Sequence, residues 1–103
     1  MQDKVVVVVG ATGGIGCALT RKLAQEGASL VLAARKSDRL AALVSELPAT
    51  DRERVLTVPT DITDPTQVKT LMDKAVAQFG QIDVLVNAAG AGVMKQYNKV
   101  EPG

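Results

Sequence analysis

A glycine-rich turn near the N-terminus is the segment of this chain best suited to bind a charged ligand. It follows a run of five valines and precedes a helical pattern. Backbone N–H groups of such a turn face outward, the helix dipole adds positive charge, and glycines let a pyrophosphate approach without meeting a Cβ. We therefore predict a dinucleotide phosphate site here. Its residues are Gly10, Thr12, Gly13, Gly14, Ile15 and Gly16.

The spacing of the glycines fits two known forms of the dinucleotide turn. The common G-x-G-x-x-G form fails, because its third glycine would fall at Leu19. One form uses Gly10, Gly14 and Gly16, and the other replaces Gly14 by Gly13. The turn alone does not choose between them, and a turn without a ligand stays open as an alternative. We expect a side chain at Gly14 to block the pyrophosphate and to strain the turn.

Basic residues follow the second predicted strand, where NAD-selective folds place an acid about 20 residues after the glycines. Here Arg35 and Lys36 stand without a neighbouring carboxylate, and Arg39 comes one helical turn later. Arg35 can bind a 2′-phosphate with charge-assisted hydrogen bonds, and Thr12 can add a hydroxyl. The alternative is a solvated loop before a helix. The pattern predicts NADP as the cofactor, with NAD less favoured.

Polar residues also follow the third and fourth predicted strands. Asp61 and Ile62 come after the third strand, and residues 87–90 end the fourth. Ligands of open α/β sheets bind at the carboxyl ends of the strands, so these residues belong to the same predicted site. Asp64 needs no ligand, because capping of a helix explains it.

The apolar pattern indicates which elements position these residues. We predict strands at 4–9, 29–34, 54–58 and 82–86, and helices at 17–26, 37–47 and 65–79. Ser37 or Asp38 caps the second helix, Asp64 caps the third, and Gly27 and Gly80 end the first and third. This alternation predicts an α/β fold with right-handed crossovers. It is part of a Rossmann-type doubly wound parallel sheet, β-α-β-α-β-α-β with strand order 3-2-1-4.

Four motifs together make the chain resemble the short-chain dehydrogenase/reductase family over residues 5–90. They are the glycine turn, the basic segment that begins at Arg35, the pair Asp61 and Ile62, and residues 87–90. The resemblance implies that Asp61 and the backbone of Ile62 meet the adenine. It also implies that Asn87, Ala88, Ala89 and Gly90 brace the sheet and pass the ribose region of the cofactor. Ala88 stands where the family usually has a second Asn, so one hydrogen bond to the sheet is lost. The later motifs favour the glycine form with Gly14.

The family's catalytic residues have no counterpart in this sequence. Family members use a Ser and a Tyr-x-x-x-Lys motif after the fourth strand, whereas Tyr97 has a lysine two positions on and Glu101 four positions on. We interpret Tyr97 as a loop residue and assign no catalytic residue to the chain. The resemblance implies an NADP-dependent oxidoreductase that moves hydride between nicotinamide and a carbonyl or alcohol. The alternative is a nucleotide-binding or regulatory module without chemistry.

Composition narrows the remaining function classes. A net charge of +1 gives no electrostatic basis for nucleic-acid binding. One cysteine and no histidine argue against a metal site. No apolar stretch approaches the length of a membrane span. We expect a cytoplasmic protein whose partner is a small-molecule substrate.

The domain organisation predicted from the sequence is a partial one. We assign residues 1–90 to a dinucleotide-binding half-domain and residues 91–103 to a tail that starts a missing C-terminal half. The fourth strand would then be an open apolar edge, prone to self-association. The alternative is a complete small domain that hides this edge in an oligomer.

Overall fold

The computed structural model of the chain describes residues 2–88 and the backbone of residues 93–96. Five strands and four helices lie within these residues. They are β1 (Val5–Val9), α1 (Gly14–Gln25), β2 (Ser29–Ala34), α2 (Ser37–Ser45), α3 (Ala49–Arg52), β3 (Val55–Pro59), α4 (Pro65–Phe79), β4 (Val84–Asn87) and β5 (Val93–Gln96). No helix of the described part is long and apolar enough to cross a membrane.

A single sheet has the strand order β3-β2-β1-β4-β5. The first four strands are parallel, with Val7 of β1 opposite both Val31 of β2 and Leu85 of β4. The helices alternate with these strands along the chain. The predicted α/β class and the order 3-2-1-4 are therefore confirmed.

The prediction that β4 forms an open edge is wrong. β5 runs antiparallel along β4, with Asn87 opposite Val93 and Val84 opposite Gln96. The connection of residues 88–92 is too short for a parallel crossover, which needs a dozen or more residues, so the next strand can pair only antiparallel. Among the described strands, β5 is the edge on this side, and self-association through β4 loses its basis. Tyr97 lies outside the described residues.

The five valines of β1 explain why the run is apolar at every position. Val6 and Val8 pack in one buried cluster with residues of α1 and α2, such as Leu23 and Leu40. Val7 and Val9 pack in a second cluster with Leu71 and Ala75 of α4. The strand is thus buried on both faces, as a central parallel strand requires. The helices also lie on the faces that right-handed crossovers predict.

The segment between β2 and β3 differs from its prediction. α2 ends at Ser45, before the expected end at Leu47, and a short helix that was not predicted begins after Pro48. Lys36 occupies the N-cap position of α2, and no side chain caps it, so neither Ser37 nor Asp38 has the predicted role. Pro48 stops α2 but also begins the next turn, because its fixed φ suits the start of a helix.

The ends of α4 match their prediction. The Asp64 carboxylate accepts a hydrogen bond from the Thr66 N–H at 2.9 Å, and Pro65 is the first helical residue. Gly80 follows the last residue with φ +85°, the left-handed conformation that favours glycine. Of the apolar residues in α4, Leu71 is buried, whereas Val76 is exposed.

Asp83 joins β1 to β4 at the end of the sheet opposite the glycine turn. Its carboxylate accepts a hydrogen bond from the Val5 N–H at 2.8 Å and another from Gln81. Its own N–H donates to the Val5 carbonyl at 2.9 Å. These contacts fix the position at which β1 begins. They therefore also fix the position of the glycine turn at its other end.

Replacing the N-cap of α4 tests how much this helix contributes to the fold. Asp64→Ala should lower the free energy of unfolding by about 0.5–2 kcal/mol, because the Thr66 N–H loses its acceptor. Urea unfolding of the full chain, followed by circular dichroism, measures the change. Asp73→Ala is the matched control, since Asp73 is exposed in the middle of the same helix and pairs with Lys69. We expect less than about 0.5 kcal/mol there. Equal losses in both variants would contradict the capping role.

Candidate functional site

A cleft of about 420 Å³ lies at the carboxyl end of the sheet, over the ends of β1 and β2. It collects residues from the turns that follow all four parallel strands. The lining residues are Val9, Gly10, Thr12, Gly13, Ala33, Ala34, Arg35, Lys36, Arg39, Thr60, Ile62 and Ala88.

The cleft brings together a large part of the predicted site. Eight predicted residues line it: Gly10, Thr12, Gly13, Arg35, Lys36, Arg39, Ile62 and Ala88. Five others lie beside it without lining it: Gly14, Ile15, Gly16, Asp61 and Asn87. Ala89 and Gly90 fall outside the described residues.

The glycine turn is tied to β2 by its backbone. The N–H groups of Gly10 and Ala11 both donate to the Ala33 carbonyl, at 2.9 and 3.2 Å. Gly10 has φ +78°, so the turn needs glycine at this position. α1 begins at Gly14 with no side-chain cap and no acid in its first turn. The first N–H groups of a helix have no partner within it, so this end can receive an anion.

Gly16 holds α1 close to the turn. A Cβ built on Gly16 would lie 2.8 Å from the Cα of Ala11 and closer still to the Gly10 carbonyl oxygen. A Cβ on Gly14 meets no atom of the described residues within 4 Å, and Gly14 has no positive φ. The predicted strain at Gly14 is therefore wrong. Gly16 is the glycine that packing requires, and the space at Gly14 remains open for a ligand.

Three cations line the cleft without a carboxylate among its lining residues. They are Arg35, Lys36 and Arg39. The Arg35 guanidinium reaches out of the lining to Asp61, with Nη2 3.3 Å from Oδ1. From the sequence, these two residues are expected against different parts of the ligand, and their contact with one another is not predicted.

The Asp61 carboxylate is fixed by the turn before α4. Oδ1 accepts hydrogen bonds from the Thr63 hydroxyl at 2.6 Å and from the Thr63 N–H at 3.0 Å. These two bonds, the hydroxyl first, lower the pKa of Asp61 from its ordinary value, and the Arg35 charge adds to the effect. The backbone N–H of Asp61 donates to Gln67 at 2.7 Å. Asp61 is thus a charged, positioned group at neutral pH.

Thr60 is a lining residue that the sequence analysis missed. It is buried, its hydroxyl donates to the Val58 carbonyl at 2.9 Å, and its N–H donates to the Ala34 carbonyl at 2.8 Å. On the other side of β1, the Ala88 N–H donates to the Val9 carbonyl at 2.8 Å. These hydrogen bonds extend the pairing of the strands as far as the floor of the cleft. The position of Thr60, between a strand and Asp61, was the signal available in the sequence.

The similarity of the sequence to known families decides the family of the chain. The model described as short chain dehydrogenase matches residues 4–102. The chain belongs to the short-chain dehydrogenases. A relative, an uncharacterized oxidoreductase of Staphylococcus saprophyticus, is 41% identical over 90 residues, which are 87% of this chain and 38% of that protein. The chain therefore spans well under half the length of this relative.

Solved structures with a similar fold include complexes with different cofactors. An alcohol dehydrogenase of Thermococcus sibiricus complexed with 5-hydroxy-NADP has a TM-score of 0.74 and 37% identity, covering 81% of this chain and 35% of that one. A 3-ketoacyl-(acyl-carrier-protein) reductase of Brucella melitensis complexed with NADH also has a TM-score of 0.74. It is 27% identical, covering 82% of this chain and 34% of the reductase. The neighbours thus include complexes with both types of nicotinamide cofactor.

The two glycines of the turn should respond differently to alanine. Gly16→Ala should lower the free energy of unfolding by at least about 1–3 kcal/mol, because the added methyl overlaps the backbone of Gly10 and Ala11. Gly14→Ala should cost nothing or add about 0.4–1 kcal/mol, since alanine stiffens the unfolded chain and meets no neighbour. Thermal unfolding of both variants of this short-chain dehydrogenase measures the difference. Equal destabilisation by the two substitutions would contradict the packing described.

Proposed function

We propose that this chain is the NADP(H)-binding part of a short-chain dehydrogenase/reductase. The observation that carries the proposal is the charge of the cleft, which three cations line without a lining carboxylate. An acid at the end of the second strand accepts hydrogen bonds from the 2′-OH of NAD and repels a 2′-phosphate. Arg35 occupies that place here and favours the phosphate.

The turn supports the proposal through its fit to a pyrophosphate. The helix N-terminus carries no acid in its first turn, and the backbone at Gly14 faces open space. We assign Gly13, Gly14, Ile15 and Gly16 to the pyrophosphate. The N–H groups of Gly14, Ile15 and Gly16 would bind it together with the dipole of α1, whereas the Gly13 N–H donates to the Gly10 carbonyl at 3.2 Å and closes the turn. Gly10 shapes the turn through its positive φ.

The remaining residues are assigned by their place around the cleft. Thr12, Lys36 and Arg39 join Arg35 at the proposed 2′-phosphate position. Ile62, 37% exposed at the mouth of the cleft, offers an apolar surface to the adenine, and Asp61 can accept a hydrogen bond from the base. Asn87, Ala88, Ala89 and Gly90 are assigned to the ribose region. We propose residues 1–90 as the dinucleotide-binding unit, and β5 continues its sheet to Gln96.

The proposed reaction interconverts an alcohol and a carbonyl compound by oxidation or reduction. The nicotinamide, when bound, would supply the hydride chemistry. The chain's own residues bind and orient the cofactor, and we assign no proton transfer to Tyr97. A small molecule is the proposed substrate, and the cytoplasm is the proposed location.

Replacing Arg35 by an acid tests the cofactor preference. Arg35→Asp should reduce the ratio of NADPH to NADH affinity by about 10- to 150-fold, the equivalent of one charge-assisted hydrogen bond of about 1.5–3 kcal/mol. Titration calorimetry on the full chain measures both affinities. Lys74→Asp is the matched control, because it makes the same charge change on the exposed face of α4. Equal affinities for NADPH and NADH in the unsubstituted protein would contradict the proposal.

The chain alone should not catalyse the reaction. It lacks a Tyr-x-x-x-Lys motif, and a lost acid/base group typically costs about 10²–10⁴-fold in rate. NADPH oxidation in the presence of a panel of ketones should therefore stay at background. Turnover that Tyr97→Phe leaves unchanged would contradict the prediction and place the chemistry elsewhere. Binding of NADPH by a longer protein without turnover would instead favour the alternative of a nucleotide-binding module.

A further inference from the structure

The Arg35–Asp61 ion pair couples two parts of the cleft. Its atoms are 3.3 Å apart, and the side chains are 66% and 38% exposed. Water therefore reaches both partners, and an exposed pair of this kind is worth about 0–1 kcal/mol. A pair this weak can open when a stronger anion arrives.

The two partners differ in how firmly they are held. Asp61 is anchored by both bonds from Thr63 and by its own N–H to Gln67. Within the described part of the chain, Asp61 is the one partner of the Arg35 guanidinium. The carboxylate is thus a fixed point, and the long arginine side chain is the group free to turn.

The other cations of the cleft are not shared in this way. Lys36 and Arg39 form no ion pair with any described residue. Their charges act on any anion in the cleft, whether or not Asp61 is present. Arg35 is therefore the lining cation whose charge is paired with a carboxylate of the chain, that of Asp61.

The charges next to Arg35 therefore differ between bound NAD(H) and bound NADP(H). With a 2′-hydroxyl in the cleft, Arg35 keeps its carboxylate partner. With a 2′-phosphate, Arg35 must leave Asp61 or share itself between two anions that repel one another. Resting on the proposed function, we propose that Asp61 is a specificity-determining residue. It competes with the 2′-phosphate for Arg35 and so narrows the preference for NADP(H) over NAD(H).

Two small ligands isolate the 2′-phosphate from the rest of the cofactor. Adenosine 2′,5′-bisphosphate and 5′-AMP share the base and the 5′-phosphate, so the ratio of their affinities reports on the 2′-phosphate alone. Asp61→Asn removes the charge and keeps an oxygen that can accept the Thr63 bonds. We expect it to raise the ratio of bisphosphate to 5′-AMP affinity about threefold to fivefold, as release of a surface ion pair allows. Loss of a hydrogen bond between Asp61 and the base would weaken both ligands alike and leave this ratio unchanged.

Two further variants complete the calorimetry on the full chain. Asp73→Asn removes an exposed acid in the middle of α4, which does not line the cleft, and should leave the ratio unchanged. In an Arg35→Leu background, Asp61→Asn should change the ratio by less than half as much as in the unsubstituted protein, because the shared partner is gone. Should Asp61→Asn not unfold cooperatively, Asp61→Ser supplies a second neutral residue at the position, with the same expected rise in the ratio.

The outcomes separate this inference from the proposed function. If neither ligand binds the unsubstituted chain, the proposed function fails and this inference fails with it. If both bind and Arg35→Leu lowers the ratio, but Asp61→Asn does not change it, the inference alone is wrong. A lower ratio in Asp61→Asn would also overturn it, because Asp61 would then be holding Arg35 ready for the phosphate.

Discussion

The burial of β1 on every side is the constraint on which the rest of the structure depends. Its two edges are hydrogen-bonded to β2 and β4, and its two faces are covered by helices. None of its five valines is more than 8% exposed. A strand held in this way has one end that is fixed and open, and that end carries the glycine turn. The position of the cleft follows from it, because β2, β3 and β4 take their register from this strand or from its neighbour.

The shape of the cleft and its charge are determined by different parts of the chain. Its shape comes from backbone bonds such as those from Gly10 and Ala11 to the Ala33 carbonyl, which no side-chain substitution removes directly. Its charge comes from long, exposed side chains whose partners can change. Such a cleft can keep one backbone geometry while its charge varies. Among solved structures of similar fold, one is complexed with 5-hydroxy-NADP and another with NADH.

The sequence predicted the features that depend on local chemistry. Asp64, Pro65 and Gly80 mark the ends of α4 because capping bonds and a left-handed residue involve near neighbours in the chain. The short helix after Pro48 and the strand β5 were missed, since neither has a strong periodic pattern. Edge strands of this kind are determined by pairing with a partner more than by their own residues. The lining residues of the cleft were largely predicted, because the carboxyl ends of parallel strands must converge.

The features that were not predicted depend on contacts between distant residues. Arg35 and Asp61 are 26 positions apart, and their ion pair requires the β2–β3 register, which a single sequence does not contain. The role of Gly16 likewise depends on how closely α1 approaches the Gly10 carbonyl, whereas the pattern of glycines drew attention to Gly14. Spacing identified the residue types, and the packed structure decided which of them touch.

The Asp83–Val5 contact has a consequence for how the chain folds. Its partners are 78 positions apart, so β1 cannot gain its second neighbour until β4, which follows Asp83, has been synthesised. Long loops are entropically costly to close, and parallel pairing between distant segments forms slowly. During synthesis, one edge of β1 therefore stays without a hydrogen-bonded strand. The β1–β2–β3 part, which is local in the chain, has time to assemble before the sheet is completed.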